Sequence, residues 1–258
     1  MKHQSSRIVN EIIDIIKTCA APSGLNLLGA VAAHRYDAAV PAHLRAGAID
    51  PAARSIVVIG NGGGAFWQAY RRHVDANPDW PQRDHPLDDF TRAMVERDVA
   101  AVLRARGLRC TVVYPFVGDV GNLHFMELGR LAGIGGPSLV GVLIHPTYGT
   151  WIAMRAALLM EQLLDEPGEG LGFDPCPRCI PRSCMPACPV GAVSDRGWDV
   201  IKCVKHRVEA DPDCAAGCYS RMHCVIGPQH RYPDDELRHH QERSLRSMRE
   251  YYRTHLAK

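Results

Sequence analysis

The chain of 258 residues lacks several things, and each absence excludes something. No basic stretch leading into an apolar one marks a secretory leader. Met1 to Cys19 instead puts Ile8, Val9, Ile12, Ile13, Ile15 and Ile16 on the wide face of an amphipathic helix. No apolar run approaches the roughly 20 residues that cross a bilayer. The formal net charge is only +2, which argues against non-specific nucleic-acid binding over the whole surface. There is no internal repeat beyond two groups of four cysteines. The expectation is a cytoplasmic protein with no membrane partner, where dense cysteines hold metal more often than disulfides.

Most of the chain is also poor in cysteine. Of ten, Cys19 and Cys110 stand alone and read as small buried apolar residues. The other eight are Cys176, Cys179, Cys184, Cys188, Cys203, Cys214, Cys218 and Cys224. They mark a small functional segment attached to a larger body.

Hydrophobic content of 46% and charged content of 22% are ordinary for a globular protein of one large domain with a possible appendage. "GLNLLGAVAAHRY" reads as a short strand. Ser55 to Gly60 is a β-branched buried strand, followed by a glycine turn and a helix from about Ala65. "HPLDDFTRAMVERDVAAVLRARG" has helical spacing and ends at Gly107. "LRCTVVYPFV" is a strand, and "NLHFMELGRLAGI" is a helix. "SLVGVLIHPTYGTW" predicts a strand before a Pro-containing turn. "WIAMRAALLMEQLL" fits helix or strand, "PGEGLGFDP" is a linker, and Asp234 to His255 is a polar helix.

"IGNGGGA" formally fits the dinucleotide fingerprint. The second parallel strand and its acidic end, which such a site needs within about 30 residues, are missing. The turn reads as a close backbone approach instead.

Three readings apply to the cysteine segment. In the two-cluster ferredoxin pattern, three cysteines of a group bind one cluster and the fourth, followed by proline, crosses to the other. Cys176-x2-Cys179-x4-Cys184-x3-Cys188-Pro189 follows it with a longer middle gap. Cys203, Cys214, Cys218 and Cys224 complete the eight. Zinc on four cysteines, or on three with His206 or His223, is the second reading. Disulfides are the third.

"RLAGIGGPSLVGVLIHPTYGTW", "CPRCIPRSCMPACPVGAV" and "WDVIKCVKHRVE" together resemble the epoxyqueuosine reductase family. "LVGVLIHPTYGTWIAMRAALL" is also similar to the cobalamin-processing chaperones. The resemblance implies an α+β fold: a nitroreductase-like cobalamin-binding core over 1–170, a ferredoxin-like two-cluster module over 171–228 and a C-terminal helix over 229–258. It implies an iron–sulfur, cobalamin-dependent reductase with two 4Fe-4S clusters that reduce base-off cobalamin. A small-molecule or modified-nucleoside substrate and a low-potential electron donor follow. A cobalamin-processing protein and a ferredoxin-like carrier are the alternatives.

By position, Asp119 matches the family's general acid; as a lone residue it reads as a turn or cap aspartate. Gly133 and Gly135 of the A-G-x-G turn, with His145, Tyr148 and Trp151, would line or support the cobalamin pocket, and Arg155 would lie near it. Read without the resemblance, His145-Pro146 is a turn, Trp151 is core and Arg155 is a structural ion-pair partner. The chain departs from the family in two places: "GIGGPSLVG" lacks its lysine, and "CAAGCYSRMHCVIG" lacks its regular spacing. From Arg221 onward there are eight Lys or Arg against five Asp or Glu, a thin basic excess for a tRNA substrate.

Overall fold

The computed structural model describes residues 2–116, 122–209, 214 and 217–256, with side chains from Val9 onward. Contacts divide the chain into two units. One is Met1–Gly136 with Ile152–Gly172, and the other is Pro137–Trp151 with Phe173–Lys258.

In the first unit, four apolar stretches pair into one antiparallel sheet in the order β1-β2-β4-β3. The strands are β1 (Leu27–Ala32), β2 (Ser55–Gly62), β3 (Cys110–Val113) and β4 (Ile152–Met160). Every residue of β2 is buried, as its unbroken β-branched run requires of a strand covered on both faces. The ambiguous stretch from Trp151 is strand β4, held between β2 and β3. Its Ala, Leu and Met content favours helix, and its central place in the sheet overrides that preference.

Helices supply one covering layer. Lys2–Ala20 buries Ile12, Ile13 and Ile16. Ala65–Ala76 adds Phe66, Trp67 and Tyr70, and Pro86–Met94 adds Leu87, Phe90 and Met94. These pack with Val57, Ile59, Ala156 and Leu158 of the sheet in one core. The helix from Pro86 continues to Ala105 through a π-helical stretch, Val95–Ala100, that the periodicity did not signal. It ends at Gly107 (φ +72°): the N–H groups of Gly107 and Leu108 reach the carbonyls of Arg104 and Leu103, both at 3.0 Å. Because β2 is antiparallel to both neighbours, it belongs to no parallel dinucleotide-binding unit.

The second unit consists, among its described residues, of helices, loops and one small hairpin. The strand expected in "SLVGVLIHPTYGTW" is replaced by a tight loop. His145 N–H bonds the Gly149 carbonyl at 2.8 Å, and the reverse bond is 2.9 Å. Pro146 has no N–H for a ladder and Gly149 takes φ +60°, so the chain closes on itself. A two-residue hairpin, β5 (Val193–Ser194) with β6 (Gly197–Trp198), follows the first four cysteines. Helices Val200–Glu209, Tyr219–Met222 and Asp234–His255 complete it.

Candidate functional site

The expected cobalamin-side residues fall in both units. In the first, Gly133 (φ +74°) and Gly135 form a turn against Gly168 and Gly170. A Cβ on Gly133 would lie 2.4 Å from the Gly168 carbonyl oxygen, and one on Gly170 would lie 2.8 Å from the Gly135 Cα. The Gly168 N–H bonds the Ala132 carbonyl at 2.8 Å. Backbone packing therefore accounts for glycine here.

Arg155 occupies a β-bulge. Ile59 pairs with Ala156 and Gly60 with Met154, so Arg155 is the extra residue on β4. The kink brings the Ala153 carbonyl so close that a Cβ on Gly60 would sit 2.6 Å from its oxygen. Arg155 is buried. Its Nε donates to Asn61 Oδ1 at 2.7 Å, and its guanidinium lies 4.5 Å from the Phe66 ring centroid. Asp119 lies outside the described residues.

In the second unit, His145 is buried and its Nδ1 accepts the N–H groups of Thr147 (3.1 Å) and Tyr148 (3.2 Å). That fixes Nδ1 as the unprotonated nitrogen of a neutral ring. The loop it organises presses on the chain after Cys224. A Cβ on Gly149 would meet the Ile226 carbonyl oxygen at 1.9 Å, and one on Gly227 would meet the Tyr148 carbonyl carbon at 2.5 Å. Arg221 clamps the same junction. Its Nε and Nη2 bond the Thr150 carbonyl at 3.1 and 2.6 Å, and its guanidinium stacks on Trp151 (4.6 Å) and Tyr232 (5.0 Å). Trp151 is core, with Tyr232 edge-on at 5.3 Å. The buried Thr150 Oγ1 and Trp151 Nε1 have no hydrogen-bond partner among the described residues. Such a pair suits a bound polar group or an ordered water.

The cysteines fall into two neighbourhoods. Cys176, Cys179, Cys184 and Cys224 line one cavity, together with Ile144, Ile226 and His223. Cys203 has Cys188 and Cys218 as electrostatic neighbours, with Arg207 beside them. Arg207 is buried, and its Nε donates to the Cys214 carbonyl at 3.1 Å. Burial pushes the thiols of Cys176, Cys184, Cys203 and Cys224 up, so an added positive centre is needed to hold them as thiolates.

The Ala192 N–H also reaches Cys188 Sγ at 3.2 Å. Spacing in sequence carries no signal for this donor. No three described His, Cys, Asp or Glu side chains converge as a site for a single metal ion. No described helix is long and apolar enough to cross a membrane.

The sheet and its helices form a mixed helix-and-sheet fold that several solved structures share. Epoxyqueuosine reductase, solved with a modified tRNA-Tyr stem loop, matches at TM-score 0.54 and 15% identity, over 91% of this chain and 69% of that one. The B12-trafficking protein CblC of C. elegans matches at TM-score 0.58 and 13% identity, over 93% and 92%. A catabolic reductive dehalogenase matches at TM-score 0.50 and 19% identity; this chain spans 34% of its length. No family model and no curated protein matches the sequence.

Proposed function

We propose that the protein is an iron–sulfur, cobalamin-dependent reductase resembling epoxyqueuosine reductase. The observation that carries this reading is the cavity lined by Cys176, Cys179, Cys184 and Cys224. It joins three cysteines of the first group to the last of the second, which is the crossing that a two-cluster ferredoxin-like module uses. The remaining four, Cys188, Cys203, Cys214 and Cys218, would hold the second cluster. Four cysteines around one cavity match the ligand count of a cysteine-ligated cluster.

When bound, the clusters supply single electrons at low potential and the cobalamin supplies the reductive chemistry. The chain's own part is to hold and shield. The Gly149–Gly227 contact fixes Cys224, and Arg221 fixes Thr150 and Trp151 beside it. The orphaned Thr150 and Trp151 polar atoms, with His145, Tyr148, Arg155, Gly133 and Gly135 around or behind them in sequence, are the residues assigned to the cobalamin side. Asp119 is assigned as proton donor.

The substrate in this reading is a small molecule or modified nucleoside, and the partner is a low-potential electron donor. The weak basic excess of the C-terminal helix disfavours tRNA. A cobalamin-processing role is the alternative, and the 92% coverage of the B12-trafficking protein favours it.

Anaerobically purified protein tests the reading. It should contain iron and sulfide, show a visible shoulder bleached by dithionite, and change its spectrum on adding cobalamin. Zinc without iron would overturn the clusters. Iron with no response to cobalamin would leave only an electron carrier. Asp119→Asn should bind cobalamin and lose turnover; unchanged turnover removes the proton-donor role.

A further inference from the structure

We propose that the outer face of the helix Val200–Glu209 is the docking surface for an acidic protein that delivers single electrons at low potential. This rests on the iron–sulfur reading above and says where its electron donor binds. The helix turns Val204 and Arg207 inward. From there Arg207 reaches the Gln241 carbonyl and Ser244 Oγ of the last helix, both at 3.2 Å. The opposite face leaves two apolar side chains in the open, Val200 at 41% exposure and Ile201 at 48%. The helix itself does not require them, because β-branched residues favour it only weakly. Lys202 and Lys205 are exposed beside them, with Lys205 one turn beyond Ile201, and Arg196 is exposed in the turn of the preceding hairpin. The acidic groups nearby are engaged. Asp199 Oδ1 accepts the Lys202 N–H at 3.0 Å at the start of the helix, and Glu209 at its end accepts the Tyr252 hydroxyl.

This surface adjoins two cysteines assigned to the second centre. Cys203 is on the helix, and its N–H bonds the Asp199 carbonyl at 3.1 Å. The Lys202 ammonium reaches the chain that follows Cys188. A Cβ on Gly191 would lie 3.7 Å from its Nζ, and the Gly191 N–H bonds the Cys188 carbonyl at 3.0 Å. The cavity of the first centre is lined instead by Ile144 and Ile226, and Ile226 packs on Gly149 in the loop assigned to cobalamin. The second centre is therefore the end left for a donor to meet. There the reduced donor loses one electron and the second centre gains it, with no bond made or broken and no proton moved. Two lysines and an arginine select a negatively charged partner and speed its encounter, and the apolar pair supplies the contact. An RNA backbone asks for a denser row of cations and gains little from valine and isoleucine. A protein partner uses both.

The probe is a plant-type ferredoxin, an acidic protein with one low-potential iron–sulfur centre. Anaerobic wild type is first assayed for iron, sulfide and bleaching by dithionite. Its binding to oxidised ferredoxin is measured by calorimetry, and its reduction by reduced ferredoxin in a stopped-flow instrument, each at low and high salt. Two paired variants are compared with it. Lys202→Glu with Lys205→Glu reverses the proposed surface, and glutamate at 202 suits the first turn of a helix. Arg246→Glu with Arg249→Glu makes the same change in net charge at exposed positions of the last helix. All three proteins should bleach equally with dithionite. Wild type should bind ferredoxin and lose affinity and rate as salt rises, and the lysine pair should lower both by about tenfold or more at low salt. The arginine pair should change them by less than about twofold, and Ile201→Ser should weaken binding while keeping its salt dependence. No binding by wild type, no loss in the lysine pair, or equal losses in the two pairs overturns the proposal while the iron–sulfur reading stands. A stem-loop RNA that binds through the same lysines, with ferredoxin indifferent to them, overturns it as well. Wild type without iron removes the underlying reading, and the proposal with it.

Discussion

The two units are held together in different ways. The first rests on a broad apolar cluster in which sheet and helices bury Ile16, Val57, Phe66, Phe90, Leu103 and Leu158. In the second, one cluster among the described residues joins Trp151, Tyr232 and Leu237, with Met222 packed against it, and Ile144, Val193 and Val204 are buried besides. The second unit leans on directional contacts: back-to-back glycines, Arg221 on the Thr150 carbonyl, and Arg207. The Arg207 guanidinium reaches the Cys214 and Gln241 carbonyls, at 3.1 and 3.2 Å, and Ser244 Oγ at 3.2 Å. In the proposed reading, a centre bound by its eight cysteines would add its binding energy to the stability of this unit.

The largest expected effect follows directly. Stripping iron with a chelator should release amide protection in helices Val200–Glu209 and Tyr219–Met222, while β2 keeps its own. Hydrogen exchange resolved by peptide reads this. Equal loss in both units, or none in either, removes the contrast. Next is Gly149→Ala, which adds a Cβ against the Ile226 carbonyl and requires a left-handed backbone from alanine. It should destabilise the second unit by roughly 2–4 kcal/mol. Denaturant titration of a probe in each unit checks this, and a midpoint unchanged in the second unit sinks it.

Arg207→Met should cost about 2–4 kcal/mol, because two buried carbonyls lose their donor. Its effect should appear in the Asp234–His255 helix and leave the sheet alone; a loss confined to the sheet contradicts it. The smallest effect belongs to the first unit. The Thr111 hydroxyl bonds Asp50 Oδ2 at 2.8 Å and, with a lesser contribution from Arg109, holds that carboxyl below its usual range. A depressed carboxylate stabilises the fold at neutral pH and loses that contribution as pH falls through its folded value. Thr111→Val should therefore lower stability slightly at neutral and alkaline pH, flatten the acid limb, and leave the two proteins alike at the most acid pH. An identical acid limb in both proteins counts against it.

Much of this contrast was legible in the sequence, and the rest was hidden for definable reasons. The β-branched run at Ser55 gave strand β2, and Gly107 gave a helix end. The eight cysteines and their division into fours could be counted. Strand β4 could not be separated from helix, because its pairing partners lie about 50 and 100 residues away in sequence. The turn at His145-Pro146 was legible, but the apolar lead-in before it, which reads as a strand, is loop. The bulge at Arg155 is a one-residue change of register and leaves no compositional trace. The Ala192 N–H that bonds Cys188 belongs to a residue with no pattern of its own. The role of Asp119 rests on resemblance, outside the described residues.

The path of the chain between the units has a further consequence. It passes from the first to the second at Gly136, returns at Trp151, and leaves again at Gly172. No single cut can separate them. A fragment ending at Gly172 would keep Pro137–Trp151 without the Ile226–Gly227 backbone and the Tyr232 ring it packs on. Trp151 and its loop would then be left uncovered, a route to aggregation rather than to a free-standing core.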